Sequence, residues 1–144
     1  MNKKISIITV VKNGMPFLRS AIRSFELQTY INKELIIVFA PSKDGTEEYL
    51  NSLKNPNIIV TKDVNSKTKF GSINLGIKIT SGDIIGLLHS DDIFFDENIL
   101  STVSNNFLNI DFLYGNIHFS KKNDLSKITR TWKSRNFKKI LLEF

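Results

Sequence analysis

Apolar runs alternate with helical patterns along most of the chain. Residues 5–11 (ISIITVV) form a predominantly apolar run, the pattern of a strand buried on both faces. Residues 15–28 carry Leu18, Ala21, Ile22 and Phe25 at the spacing of an amphipathic helix. Residues 34–39 (ELIIVF) predict a second strand. Asp44 and Glu47 have the spacing of a capping box, ahead of a helix carrying Tyr49, Leu50 and Leu53. A third strand is predicted over 57–61, then a helix over 72–80 with Ile73 and Ile77 on one face and Ser81-Gly82 as its stop. A fourth strand over 84–89 reads as apolar on both faces. Asp96 can cap a helix carrying Leu100, Val103 and Phe107, and residues 111–114 begin a further strand.

This alternation implies an α/β fold with a mostly parallel sheet and helices on both faces. Ligands of such sheets sit beyond the carboxyl ends of the strands. That directs attention to Lys12, Asn13 and Gly14, to residues 41–46, and to Ser90, Asp91 and Asp92. After about residue 115 the rhythm fades. Residues 117–119 and 128–132 can pair as a hairpin around 121–124, and residues 137–144 resemble the start of a helix. The division expected is an α/β domain over 1–116 and a separate segment over 117–144.

Composition narrows the chemistry. A chain of 144 residues suits one core. There is no cysteine, so disulfides, cysteine zinc sites and thiol nucleophiles are excluded, which fits a cytoplasmic setting. The apolar start is broken at Lys12-Asn13 with no small-residue cleavage site, so it reads as a first strand and not a signal peptide. No stretch approaches the roughly 18 apolar residues of a spanning helix. Residues 120–144 hold eight Lys/Arg against two acids, which accounts for the whole net charge of +6. Such a segment is either a solvated surface or a contact for anionic lipid, nucleic acid or a phosphate-bearing ligand.

Asp91-Asp92 is the sharpest chemical feature. Adjacent carboxylates at the end of an apolar strand are costly unless a cation or hydrogen-bond donors meet them. Hard oxygen ligands suit Mg²⁺ or Mn²⁺, which completes its shell with phosphate oxygens and water. Successive strand residues point to opposite sides, so one Asp can reach a metal while the other faces a ribose hydroxyl. A polar turn before the Asp96-capped helix is the alternative. Lys12-Asn13-Gly14 reads either as a turn or as a bend where a base lies against the strand end. Residues 42–46 offer backbone N–H groups to an anion, although helix capping by Asp44 explains them better. Lys67 and Lys69 can meet a diphosphate or belong to a solvated loop. His89 and His118 lack a partner at ligand spacing and read as structural. Trp132 can stack on a sugar or pack in a core.

Together, ISIITVVKNGMPFLRSAIRSFELQTY, ELIIVFAPSKDGT, GSINLGIKITSGDIIGLLHSDD and YGNI resemble glycosyltransferase family 2 over residues 4–116. The resemblance implies a GT-A fold, a Rossmann-like nucleotide-binding half, with a nucleotide-diphosphate sugar as donor, a UDP-sugar being favoured. It implies that Asp92 binds the metal, that Asp91 lies beside the ribose or sugar, and that Val10 and Lys12 line the base. Phe39 stands where the family usually ends strand two in an Asp that contacts the base; as a nucleotide-sugar-binding residue it could stack on the base but not accept its N–H. Lys12 stands where many members have an aromatic. The family's acceptor half and its catalytic base would lie beyond Phe144, so the chain reads as an N-terminal fragment or short form, with no catalytic base to nominate. The expected role is transfer of the sugar to an acceptor hydroxyl, on a saccharide or lipid-linked saccharide, in polysaccharide or glycolipid synthesis. The basic segment would then lie near anionic membrane at the inner face, with no nucleic acid partner. A catalytically inactive binding module with the same fold is the alternative. A nucleotidyltransferase is disfavoured by the lack of a Gly-rich, basic loop after strand one.

Overall fold

The computed structural model describes residues 3–108, 110–121 and 124–134. The chain divides into two compact units, Met1–Asn106 and Phe107–Phe144. The first unit runs β1 (Ile5–Val11), α1 (Phe17–Glu26), β2 (Lys33–Phe39), α2 (Thr46–Ser52), β3 (Ile58–Lys62), α3 (Lys69–Ile79), β4 (Ile84–Leu87) and α4 (Ile99–Asn106). The second contains a hairpin of β5 (Ile117–Lys121) and β6 (Asp124–Trp132).

The four strands of the first unit form one sheet in the order β3-β2-β1-β4. Every neighbouring pair is parallel, with Ile5 opposite Lys33 and Ile84, and Leu35 opposite Ile58. Ile8, Ile36 and Val38 form a buried cluster, joined by Val10 of β1 and by Leu75 and Ile79 of α3. Alternate strand residues must face the opposite side. Ile5, Ile7, Val11, Leu35 and Ile37 are buried too, so both faces of the central strands are covered. Leu18, Ala21, Ile22 and Phe25 form the buried stripe of α1, as the helical spacing required. Gly76 lets α3 lie close, since a Cβ there would stand 2.7 Å from Ile8 Cγ2.

Several boundaries differ from the sequence reading. Pro16 occupies the N-cap of α1, so the helix starts at Phe17. Thr68 caps α3 through its side chain, accepting from Gly71 N–H at 3.1 Å, so that helix starts at Lys69 and not at 72. β4 ends at Leu87 and borders the sheet, with Ile85 46% and Leu87 57% exposed, so it is not apolar-buried on both faces. Its Ile and Leu content matched a central strand because composition does not reveal which strand is an edge. α4 ends at Asn106, which leaves Phe107 outside it. Residues 111–114 form no strand, since no neighbouring strand pairs with them among the described residues. The hairpin is antiparallel as expected, with Ile117 opposite Trp132 and register shifts after Phe119. The expected helix over 137–144 lies outside the described residues.

Candidate functional site

The strand order sets the site. From β1 the chain moves outward to β2 and β3, then returns to place β4 on the other side of β1. The direction of winding therefore reverses between β1 and β4, and the crevice beyond the carboxyl ends of two such strands is where open parallel sheets bind ligands. The residues leaving β1 there are Lys12, Asn13 and Gly14; those leaving β4 are Leu88 to Asp92.

The loops after β1 and β2 are laced together. Asn13 adopts a left-handed conformation (φ 52°), which Asn tolerates better than most residues. Its N–H donates to Ser42 Oγ at 2.9 Å, and its Oδ1 accepts from Lys43 N–H at 2.9 Å. Gly14 N–H donates to Thr46 Oγ1 at 2.9 Å, and Met15 N–H donates to Asp44 Oδ2 at 2.8 Å. Asp44 is therefore not the cap of α2; Gly45 holds that position with φ 87°. Asp44 instead accepts from the Thr46 hydroxyl and from the N–H groups of Met15 and Thr46, which lowers its carboxyl pKa. The N–H groups that the sequence offered to an anion are partly consumed in this lacing.

The loop after β3 is ordered by Asp63, a buried carboxylate that the sequence reading passed over. Ser66 contributes most to holding its pKa down to about 2, followed by Ser72 and Asn65. Asp63 Oδ1 accepts from the N–H groups of Asn65 and Ser66, and Oδ2 accepts from Ser72 Oγ at 2.7 Å. Ser72 thus ties the first turn of α3 to this loop. The local signal was the Asp63-x-Asn65-Ser66 turn pattern.

At the β4 exit, Leu88 remains bound to β1: its N–H donates to the Ile8 carbonyl at 3.0 Å and its carbonyl accepts from Thr9 Oγ1 at 2.9 Å. The chain then turns, closed by Asp92 N–H donating to the His89 carbonyl at 3.1 Å. Both acidic side chains are exposed. Burial by neighbouring atoms, and then the charge of Asp91, raise the Asp92 pKa, with His89 and Lys69 opposing. Lys69, at the start of α3, lies with Nζ 2.9 Å from His89 Nδ1. His89 is therefore part of the mouth and draws a lysine to it, a contact between residues 20 apart in sequence that periodicity does not disclose.

The remaining candidates divide between mouth and core. Lys12 is exposed at the end of β1, and Val10 is half-buried against Ile8, Ile36 and Val38. Phe39 is only 4% exposed, with Lys62 Nζ 5.8 Å from its ring centroid. At that burial the ring offers no open face on which a base could stack. Among the described residues no three His, Cys, Asp or Glu side chains gather as a ready metal site. The donor set fits a hard cation held by one or two carboxylates and completed by phosphate oxygens, and a carboxyl pKa raised first by burial and then by a neighbouring negative charge is one that a cation would lower. Among the described residues no helix is long and apolar enough to cross a membrane.

The model of Glycosyl transferase family 2 matches residues 6–143. A UDP-Glc:alpha-D-GlcNAc-diphosphoundecaprenol beta-1,3-glucosyltransferase of Escherichia coli, WfaP, is 31% identical over 81% of this chain and 47% of its own length. Glycosyltransferase GlyG of Streptococcus pneumoniae is 27% identical over 83% of this chain and 44% of its own. The chain thus spans about half the length of these curated relatives. Among solved structures, S. aureus TarS 1-349 in complex with UDP-GlcNAc superposes with a TM-score of 0.65 at 22% identity, covering 71% of this chain and 30% of that one. Mannosyltransferase PcManGT from Pyrobaculum calidifontis, in complex with GDP-Man and Mn2+, gives 0.67 at 15% identity, covering 86% and 37%. These superpositions bear out the α/β, GT-A fold.

Proposed function

Because the chain belongs to glycosyl transferase family 2, we propose that it is the donor-binding part of a transferase that moves a sugar from a UDP-sugar to an acceptor hydroxyl. One observation carries the reading: two adjacent carboxylates leave β4 at the switch point of a parallel sheet, beside the exit of β1. Asp92 would hold Mn²⁺ or Mg²⁺, and Asp91 would meet the ribose or sugar. Val10 and Lys12 would line the base, with Phe39 buried at the end of β2. A bound divalent ion supplies charge neutralisation for the departing diphosphate. The chain's own residues bind and orient the donor. Lys69, drawn in by His89, adds positive charge at the same mouth.

UDP is favoured by the donors named for WfaP and for the TarS complex, and a lipid-linked diphosphate saccharide is favoured as acceptor by the name of WfaP. Peripheral contact of the basic segment with an anionic inner membrane face fits such an acceptor. The test is a melting-temperature screen of nucleotides with and without Mn²⁺. UDP should raise the melting temperature only when Mn²⁺ is present, by linkage to the folded state. Stabilisation by every nucleotide regardless of metal would contradict the proposal. Release of free sugar from the donor by the purified chain would distinguish a competent enzyme from a binding module that kept the fold.

A further inference from the structure

The Asp91-Asp92 turn is anchored from a second direction, by the end of α1. Gln28 lies two residues past that helix and is 5% exposed. Its Nε2 donates to the Asp96 carbonyl at 2.6 Å and to the Ser24 carbonyl at 3.3 Å, while its Oε1 accepts from Leu100 N–H at 3.0 Å. Both donor hydrogens and the carbonyl of the amide are thereby engaged. Beside it, Ser24 Oγ accepts from Phe94 N–H at 3.1 Å, and Thr29 N–H donates to the Glu97 carbonyl at 2.8 Å. Thr29 Oγ1 also donates to Asn98 Oδ1 at 2.9 Å. The segment that begins two residues after Asp92 is thus fastened to α1 at the backbone of Phe94, Asp96, Glu97 and Leu100.

We infer that Gln28 is a positioning residue for the donor and metal site, an inference that rests on the reading of Asp91-Asp92 given above. A buried amide is tolerated only when its polar atoms are satisfied. Gln28 therefore favours one placement of the segment 94–100. Leu88, bound to Ile8 and Thr9, fixes the other end of the turn. A carboxylate held at both ends does not spend binding free energy on ordering its own loop. Without Gln28, the turn keeps its residues and loses its fixed distance from the β1 exit.

Gln28→Met keeps the length of the side chain and removes all three bonds. Hydrogen exchange of the full chain should then show faster exchange at the Phe94 and Leu100 amides, with β1 and β2 unchanged. The Kd for UDP in the presence of Mn²⁺ should weaken about tenfold, the scale set by losing a residue that orients a metal ligand. The control is Glu34→Gln, at the opposite ends of the strands, which should lower the melting temperature and leave that Kd unchanged. Wild-type exchange in Gln28→Met, or a Kd loss no greater than that of Glu34→Gln, would overturn the inference. Should Gln28→Met not fold, Ser24→Ala releases Phe94 alone and must show faster exchange at the Phe94 amide with a smaller loss of UDP affinity. If the wild-type chain binds no UDP with Mn²⁺, the donor reading fails, and the exchange measurement still decides whether Gln28 holds the segment.

Discussion

Asp92 bears a cost that its neighbours only partly offset. Burial and the Asp91 charge raise its pKa above the ordinary 3.8. A carboxyl with a raised folded pKa contributes stability that is present below its unfolded pKa and lost as pH rises through the folded value. Metal-free Asp92→Asn is therefore expected to melt slightly higher than wild type at neutral pH, while Mn²⁺ with UDP stabilises the wild type alone; differential scanning fluorimetry reads both. Under the proposed function, protons and Mn²⁺ compete for the same oxygens. Asp91→Asn removes the charge that raises the Asp92 pKa, so the pH at which UDP and Mn²⁺ binding is half lost should move to lower pH, measured by calorimetry between about pH 4 and 7. The acidic pair was legible in the sequence because two charges after an apolar run demand an explanation. Lys69 was legible as a candidate for a diphosphate, but its contact with His89 and the bonds of Gln28 to Asp96 and Leu100 were not, since those partners lie 20, 68 and 72 residues away and meet only in the fold.

At the scale of elements, β1 and β2 could be read almost to the residue because both of their faces are buried, so their apolar runs are unbroken. β4 could not, because an edge strand tolerates the same residues half exposed. The amino ends of β1, β2 and the turn into β4 meet at Glu34. Its carboxylate accepts from Ser6 Oγ at 2.6 Å and Ser81 N–H at 2.8 Å, and pairs with Lys4 Nζ at 2.6 Å. Burial pushes the Glu34 pKa up, but the bonds from Lys4, Ser6 and Ser81 together outweigh it and bring the value down to about 2. A depressed folded pKa gives stability that is present above the ordinary 4.5 and lost as pH falls towards 2. Glu34→Gln is expected to cost about 1–3 kcal/mol near neutrality, with the gap from wild type closing over that acid range in urea unfolding at stepped pH. Gly76→Ala tests the fit of α3 to the sheet. The added methyl would stand 2.7 Å from Ile8 Cγ2 and 3.4 Å from Val38 Cγ2. Overpacking of about 1–3 kcal/mol opposes a helix-propensity gain of about 1 kcal/mol. Net destabilisation, read as a lower urea midpoint, is the expected outcome.

For the whole molecule, the alternation of strands and helices was enough to foresee a parallel sheet, but not the order of its strands. A βαβ crossover can place the next strand on either side of the last, and only the fold shows that β4 returns past β1. That return puts the acidic pair at a switch point, and it is why an acidic turn reads as a cation site. The most direct measurement is anomalous scattering from crystals grown with UDP and Mn²⁺. A manganese peak against the Asp92 carboxylate, with the diphosphate bridging it and the base near Lys12, is the expected result. Manganese bound elsewhere on the chain, or UDP bound away from the β1 and β4 exits, would contradict it.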